Sequence, residues 1–88
     1  MFASMRPRIL IVDNRKREAL ALRAIISGRM EPDVEVALDG GSAVDIATSR
    51  VPDIIVLDAF LPVLNGFEVL NELRRKGLAT RVLMLSRG

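Results

Sequence analysis

The chain has 88 residues, half of them apolar, a formal net charge of +2, and neither cysteine nor histidine. That is room for a single hydrophobic core, and it excludes disulfides, thiolate metal sites, cysteine nucleophiles and imidazole chemistry. The charge is too mild, and three phenylalanines too few as stacking surfaces, to indicate nucleic acid, and no apolar run approaches the ~20 residues of a membrane span.

Residues 1–7 read as a lead-in without the basic-then-apolar order of a signal peptide, so a cytoplasmic location is expected. Strand one, Arg8 to Val12, carries Ile9-Leu10-Ile11-Val12 and runs into Asp13-Asn14. A helix is expected from about Arg15 to Ser27, with Ala19, Leu22, Ile25 and Ile26 as its apolar stripe and Gly28 as its stop. Arg15, Lys16 and Arg17 put three cations in the first turn, the unfavourable end of the dipole. They read as a solvated face, with partial neutralisation of the acids beside them as the sharper alternative. Asp13 and Asn14 could each cap this helix as well as serve a site.

Pro32 marks the connection that follows, and Val34 to Leu38 alternates at its start as an edge strand would. Asp39-Gly40-Gly41 is a turn, and Ser42 to Arg50 a second helix with Ala43, Val44 and Ala47 inward. Pro52-Asp53 breaks the chain before strand three, Ile54 to Leu57, which ends at Asp58. Ala59 to Gly66 is a loop. Asn65 and Glu68 have the spacing of a capping box that opens a third helix, with Phe67, Leu70 and Leu73 inward. Arg74, Arg75 and Lys76 suit the C-terminal end of its dipole, and Gly77 ends it. Arg81 to Leu85 is strand four and runs into Ser86.

Apolar blocks without alternation fit strands covered on both faces, as in a parallel α/β sheet. The order β-α-β-α-β-α-β, with strand two at an edge, fits a flavodoxin-like doubly wound sheet in which strand two precedes strand one and strand three follows it. Right-handed crossovers then bring Asp13, Asn14 and Asp58 together at the carboxyl edge. An oxygen-lined site of that kind suits a hard cation and a phosphoryl group.

Val-Asp-Asn after strand one, Leu-Asp after strand three, Leu-Pro-x-x-Asn-Gly in the next loop and Leu-Ser after strand four together resemble a two-component response regulator receiver domain of the CheY-like kind, over residues 8–88. The resemblance implies that Asp58 accepts a phosphoryl group from a sensor histidine kinase. It implies that Asp13, Asn14, Asp58 and the backbone carbonyl of Phe60 hold Mg2+, that Ser86 is the switch hydroxyl, and that Pro62, Asn65 and Gly66 shape the site. Asn14 stands where the family usually has a second acid, so weakened Mg2+ affinity is expected.

Only about four of the family's five strands are covered, and neither Lys16 nor Lys76 matches the lysine that pairs with the phosphoryl group. A truncated receiver is therefore expected, with strand four an unprotected apolar edge. The expected partners are a sensor kinase and a second copy of the chain along strand four, with no direct nucleic-acid or membrane binding. The competing function is a degenerate receiver acting as a non-phosphorylated interaction module. An enzyme is not expected: an aspartyl-phosphate hydrolase would carry a second acid where Phe60 stands, and no Gly-rich turn follows strand one for a dinucleotide.

Overall fold

The apolar blocks become the central strands of one sheet in the computed structural model, which describes residues 6–86. The lead-in expected over residues 1–7 thus lies outside the described residues for its first five positions. The elements are β1 (Arg8–Val12), α1 (Lys16–Met30), β2 (Asp33–Ala37), α2 (Gly40–Arg50), β3 (Ile54–Asp58), α3 (Gly66–Arg75) and β4 (Arg81–Leu85). The four strands are all parallel in the order β2-β1-β3-β4. This is the flavodoxin-like arrangement expected from the sequence, with β2 at an edge.

The chain moves one way from β1 to β2 and the other way through β3 to β4. Right-handed crossovers therefore place α1 on one face and α2 and α3 on the other. Leu10, Val12, Ile55 and Leu57 point to the two-helix face and pack with Ala43, Val44, Ala47, Val69 and Leu73 into the main core. Burying such side chains contributes about 1.5–3 kcal/mol each for the larger ones, which makes this aliphatic layer the main support of the fold. Below it, the amino edge of the sheet is pinned by polar bonds. The Arg8 amide donates to Asp53 Oδ2 at 2.7 Å, the Asp53 amide donates to the Arg8 carbonyl at 2.8 Å, and the buried Thr80 hydroxyl donates to the Pro52 carbonyl at 3.0 Å.

Several details differ from the sequence reading. Helix α1 passes through Gly28 and ends at Glu31, which takes a left-handed φ of 49°. The stop comes from Pro32, which disfavours helical backbone in the residue before it. Ile25 is 69% exposed, leaving Ala19 buried and Leu22 and Ile26 half-buried as the inner stripe. In α3 the inner residues are Val69 and Leu73, with Leu70 half-buried, while Phe67 is 60% exposed. Helix α2 begins at Gly40, within the stretch read as a turn, because Asp39 caps it through the Ser42 N–H. As expected, Asn65 and Glu68 form a capping box, and Gly77 follows α3 at a φ of 83°.

Candidate functional site

Parallel register brings the two carboxylates level. Val12 pairs with Leu57, so the next residues, Asp13 and Asp58, emerge side by side from adjacent central strands. Both are buried, Asp58 to 3% exposure. Each makes the same local turn: Asp13 Oδ1 accepts the Arg15 backbone N–H at 2.9 Å, and Asp58 Oδ1 accepts that of Phe60 at 2.9 Å. A side chain that binds backbone two residues on is the usual Asx device for leaving a strand. Asp13 is thus not the cap of α1, as the sequence had left open; the N-cap position is Arg15, and it makes no side-chain capping bond.

Asn14 is exposed and does not cap the helix; it lines a groove with Phe60, Leu61, Pro62, Asn65 and Phe67. Phe60 and Phe67, exposed on this groove, border the acidic edge with aromatic surface. The loop between β3 and α3 is drawn in by Gly66, whose N–H donates to the Ala59 carbonyl at 3.1 Å. A Cβ at Gly66 would lie 2.6 Å from the Asp58 carbonyl oxygen and 2.8 Å from Ala59 Cα, so glycine is what lets α3 start against the Asp58 backbone. Val63, at the loop tip, has a φ of 69° beneath an i to i+2 bond from the Leu64 N–H to the Pro62 carbonyl at 2.7 Å. Asp58 pairs with Leu85, and the Ala59 N–H donates to the Leu85 carbonyl at 2.9 Å. Ser86 therefore follows at the same edge of the sheet, exposed.

Of the three cations read as a solvated face, with neutralisation of the neighbouring acids as the alternative, Arg15 takes the alternative. Its Nε donates to Asp13 Oδ1 and its Nη2 to Asp13 Oδ2, both at 3.3 Å, and its Nη1 lies 3.7 Å from Glu18. The hydrogen bond to Asp13 holds its guanidinium above the ordinary arginine range, helped by the charges of Asp13, Glu18 and Asp58 and opposed by partial burial. Lys16 and Arg17 remain exposed. Of the three cations, Arg15 is thus the one joined to the acids, and the signal for it was a cation two residues past a strand-ending aspartate.

As a cation site, the donors are two buried carboxylates, an amide at Asn14 and the Phe60 backbone. Mg2+ is commonly held by one or two carboxylates with water completing the octahedron, so these residues fit the ion. Among the described residues no group of three or more acidic, histidine or cysteine side chains gathers. No helix is long and apolar enough to cross a membrane among the described residues.

A family model described as the response regulator receiver domain matches residues 9–88. The nitrate/nitrite response regulator protein NarL of Escherichia coli K12 is 36% identical over 81 residues, covering 89% of this chain and 37% of that protein. The alkaline phosphatase synthesis transcriptional regulatory protein PhoP of Bacillus subtilis 168 is 39% identical over 82 residues, covering 93% and 34%. Among solved structures, the receiver domain of the Francisella response regulator 1452 matches with a TM-score of 0.85 at 31% identity, covering 91% of this chain and 65% of that one. The chain spans about a third of the length of these curated relatives.

Proposed function

Since the chain belongs to the response regulator receiver domain family of two-component systems, we propose that it accepts a phosphoryl group on Asp58 from a sensor histidine kinase. Response regulators interact with sensor kinases, and receiver domains are in general phosphate acceptors, not enzymes. The observation that carries the reading is the placement of Asp58: a buried carboxylate at the carboxyl end of a central strand, level with Asp13. Ligands of open α/β sheets bind at that edge.

In the transfer, an Asp58 carboxylate oxygen attacks phosphorus in line and forms a P–O bond. The P–N bond to the kinase imidazole breaks, and the leaving nitrogen keeps the electron pair. Phosphoryl transfer of this type asks the protein mainly for position and charge. The Phe60 N–H on Asp58 Oδ1 orients the carboxylate, and Ser86 is the hydroxyl within the same edge to meet the new phosphoryl oxygens. Pro62, Asn65 and Gly66 fix the loop over it. Receiver domains generally bind Mg2+ beside the accepting aspartate; here Asp13, Asn14, Asp58 and the Phe60 carbonyl would hold it. Bound there, the ion would offset charge on the transferring oxygens.

Incubating the protein with Mg2+ and phosphoramidate, then measuring intact mass, tests the reading. One added phosphoryl group is expected in the wild type and none in Asp58→Asn. An unmodified wild type would instead favour the second reading, a degenerate receiver that works as an interaction module, for which the amide at Asn14 and the cation on Asp13 speak. In either case a second copy of the chain along the outer edge of β4 is the expected self-association, and cytoplasm the expected compartment.

A further inference from the structure

We propose that Arg15 is a built-in cation of this site, holding the position on Asp13 that a divalent ion must take. The proposal rests on Asp13 and Asp58 forming the acceptor site, and it adds a residue that the resemblance does not assign. Three donors of Arg15 converge on one carboxylate: the backbone N–H at 2.9 Å, and Nε and Nη2 at 3.3 Å. The guanidinium fork thus covers both Asp13 oxygens, a match of planar geometry that lysine cannot make.

Solvent weakens most such pairs, because exposed ion pairs are screened and entropically costly. This one is partly withdrawn from water, with the Asp13 side chain 12% exposed and that of Arg15 38% exposed. Its distances also matter. Charge-assisted N–H···O bonds usually lie near 2.7–2.9 Å, so side-chain bonds at 3.3 Å describe a clamp that an incoming ion can displace.

Charge counting leads to the same place. Asp13 and Asp58 bring two negative charges, Asn14 adds none, and Arg15 removes one. A doubly charged ion that binds Asp13 therefore meets a carboxylate already engaged by a unit positive charge, and it must separate Arg15 from Asp13 to bind there. Once Asp58 carries a phosphoryl group, the charge of Arg15, which already interacts with that of Asp58, has the sign that suits phosphoryl oxygens. Arg15 is in this sense a positioning and charge-balancing residue; its neighbours Lys16 and Arg17, exposed on α1, have no such part.

The test is Mg2+ binding to the full 88-residue chain, followed by calorimetry and by amide chemical shifts at residues 13–15 and 58–60. Arg15→Ala and Arg15→Gln are each expected to bind Mg2+ at least roughly tenfold more tightly than wild type, since a unit charge at contact distance is removed. Arg17→Ala, which keeps the clamp, should match wild type. Unchanged or weaker affinity in both Arg15 variants, with folded spectra, would overturn the proposal. So would equal tightening by Arg17→Ala, which would make the effect one of overall charge. Phosphoramidate labelling of the same proteins is read separately: absent labelling in every variant would sink the acceptor role of Asp58 while leaving the metal titration to decide on Arg15.

Discussion

At the scale of single residues, the site depends on how closely the backbone can approach Asp58. Gly66 sits where a methyl group would press on the Asp58 carbonyl oxygen, Ala59 Cα and Met84 Sδ, all within 2.9 Å. Two of those three atoms are backbone, so relief requires moving either α3 or the end of β3. Gly66→Ala should therefore destabilise the fold by about 1–3 kcal/mol, the usual range for overpacking. It should also slow Asp58 phosphorylation, as the shifted turn misdirects the Phe60 N–H. Urea unfolding and the phosphoramidate labelling rate check the two effects; an alanine variant as stable as wild type would remove the close-approach argument. Gly66 was singled out through the resemblance of Leu-Pro-x-x-Asn-Gly to the receiver loop, while its close approach to Asp58 is seen only in the fold. The place of Arg15 was legible only as one of two alternatives. Sequence spacing shows that a cation follows Asp13, but a long side chain can point to water or fold back, and only the turn at Asp13 decides which.

At the scale of elements, the strands and the Asn65–Glu68 capping box were read well, and the ends of α1 and the helix faces less so. A strand's apolar block needs neither partner nor direction to be recognised, and a cap is a local bond between residues three apart. Which residues of a helix face inward depends on where the sheet lies. Phe67 looked like core in α3 because it is large and apolar, yet Val69 and Leu73 take the inner face and Phe67 turns to the groove. The cap of α2 yields a pH prediction. Asp39 Oδ1 accepts the Ser42 backbone N–H at 2.7 Å and Oδ2 the Ser42 hydroxyl at 3.1 Å. These bonds, the backbone one first, hold the Asp39 carboxyl below its ordinary range. A folded-state value below the unfolded one means that the ionised cap stabilises α2 above the ordinary carboxylate pKa, near 3.9. That contribution is lost as pH falls from there through the folded value. Asn at the same position can accept the backbone bond but does not titrate. Asp39→Asn should thus be less stable than wild type at pH 7, with the deficit shrinking as pH drops below about 4. Paired urea titrations across that range would show it; a deficit constant with pH would mean that the charge on Asp39 is not what the cap uses.

At the scale of the whole molecule, the two faces of the sheet are unequally covered. Helices α2 and α3 close one face over all three strands that carry the core. The other face has α1, which lies against β1 and β2, and beyond it Ile54, Leu83 and Leu85 are exposed on β3 and β4. The apolar run Val82-Leu83-Met84-Leu85 has the composition of a strand with neighbours on both sides, and β4 stands, as expected, at an edge of the sheet, with burial that alternates. Val82 and Met84 pack on the core, while Arg81, Leu83 and Leu85 are exposed. Among the described residues β4 pairs with β3 and no other strand, and Leu83 and Leu85 are exposed on it. Edge strands with these features template strand pairing between chains, and a lysine on the edge is a common natural defence. Leu83 is the residue to change, being 56% exposed and clear of the main core. Leu83→Lys should cost within about 0.5 kcal/mol of stability, as surface substitutions usually do. In sedimentation velocity, the 88-residue wild type should associate more as concentration rises, and Leu83→Lys should remain monomeric over the same range. A wild type whose sedimentation does not change with concentration would show that the exposed edge of β4 does not recruit a second copy. Equal association by Leu83→Lys would move the contact away from β4, towards the exposed Ile25 on α1 or the Phe60 and Phe67 groove.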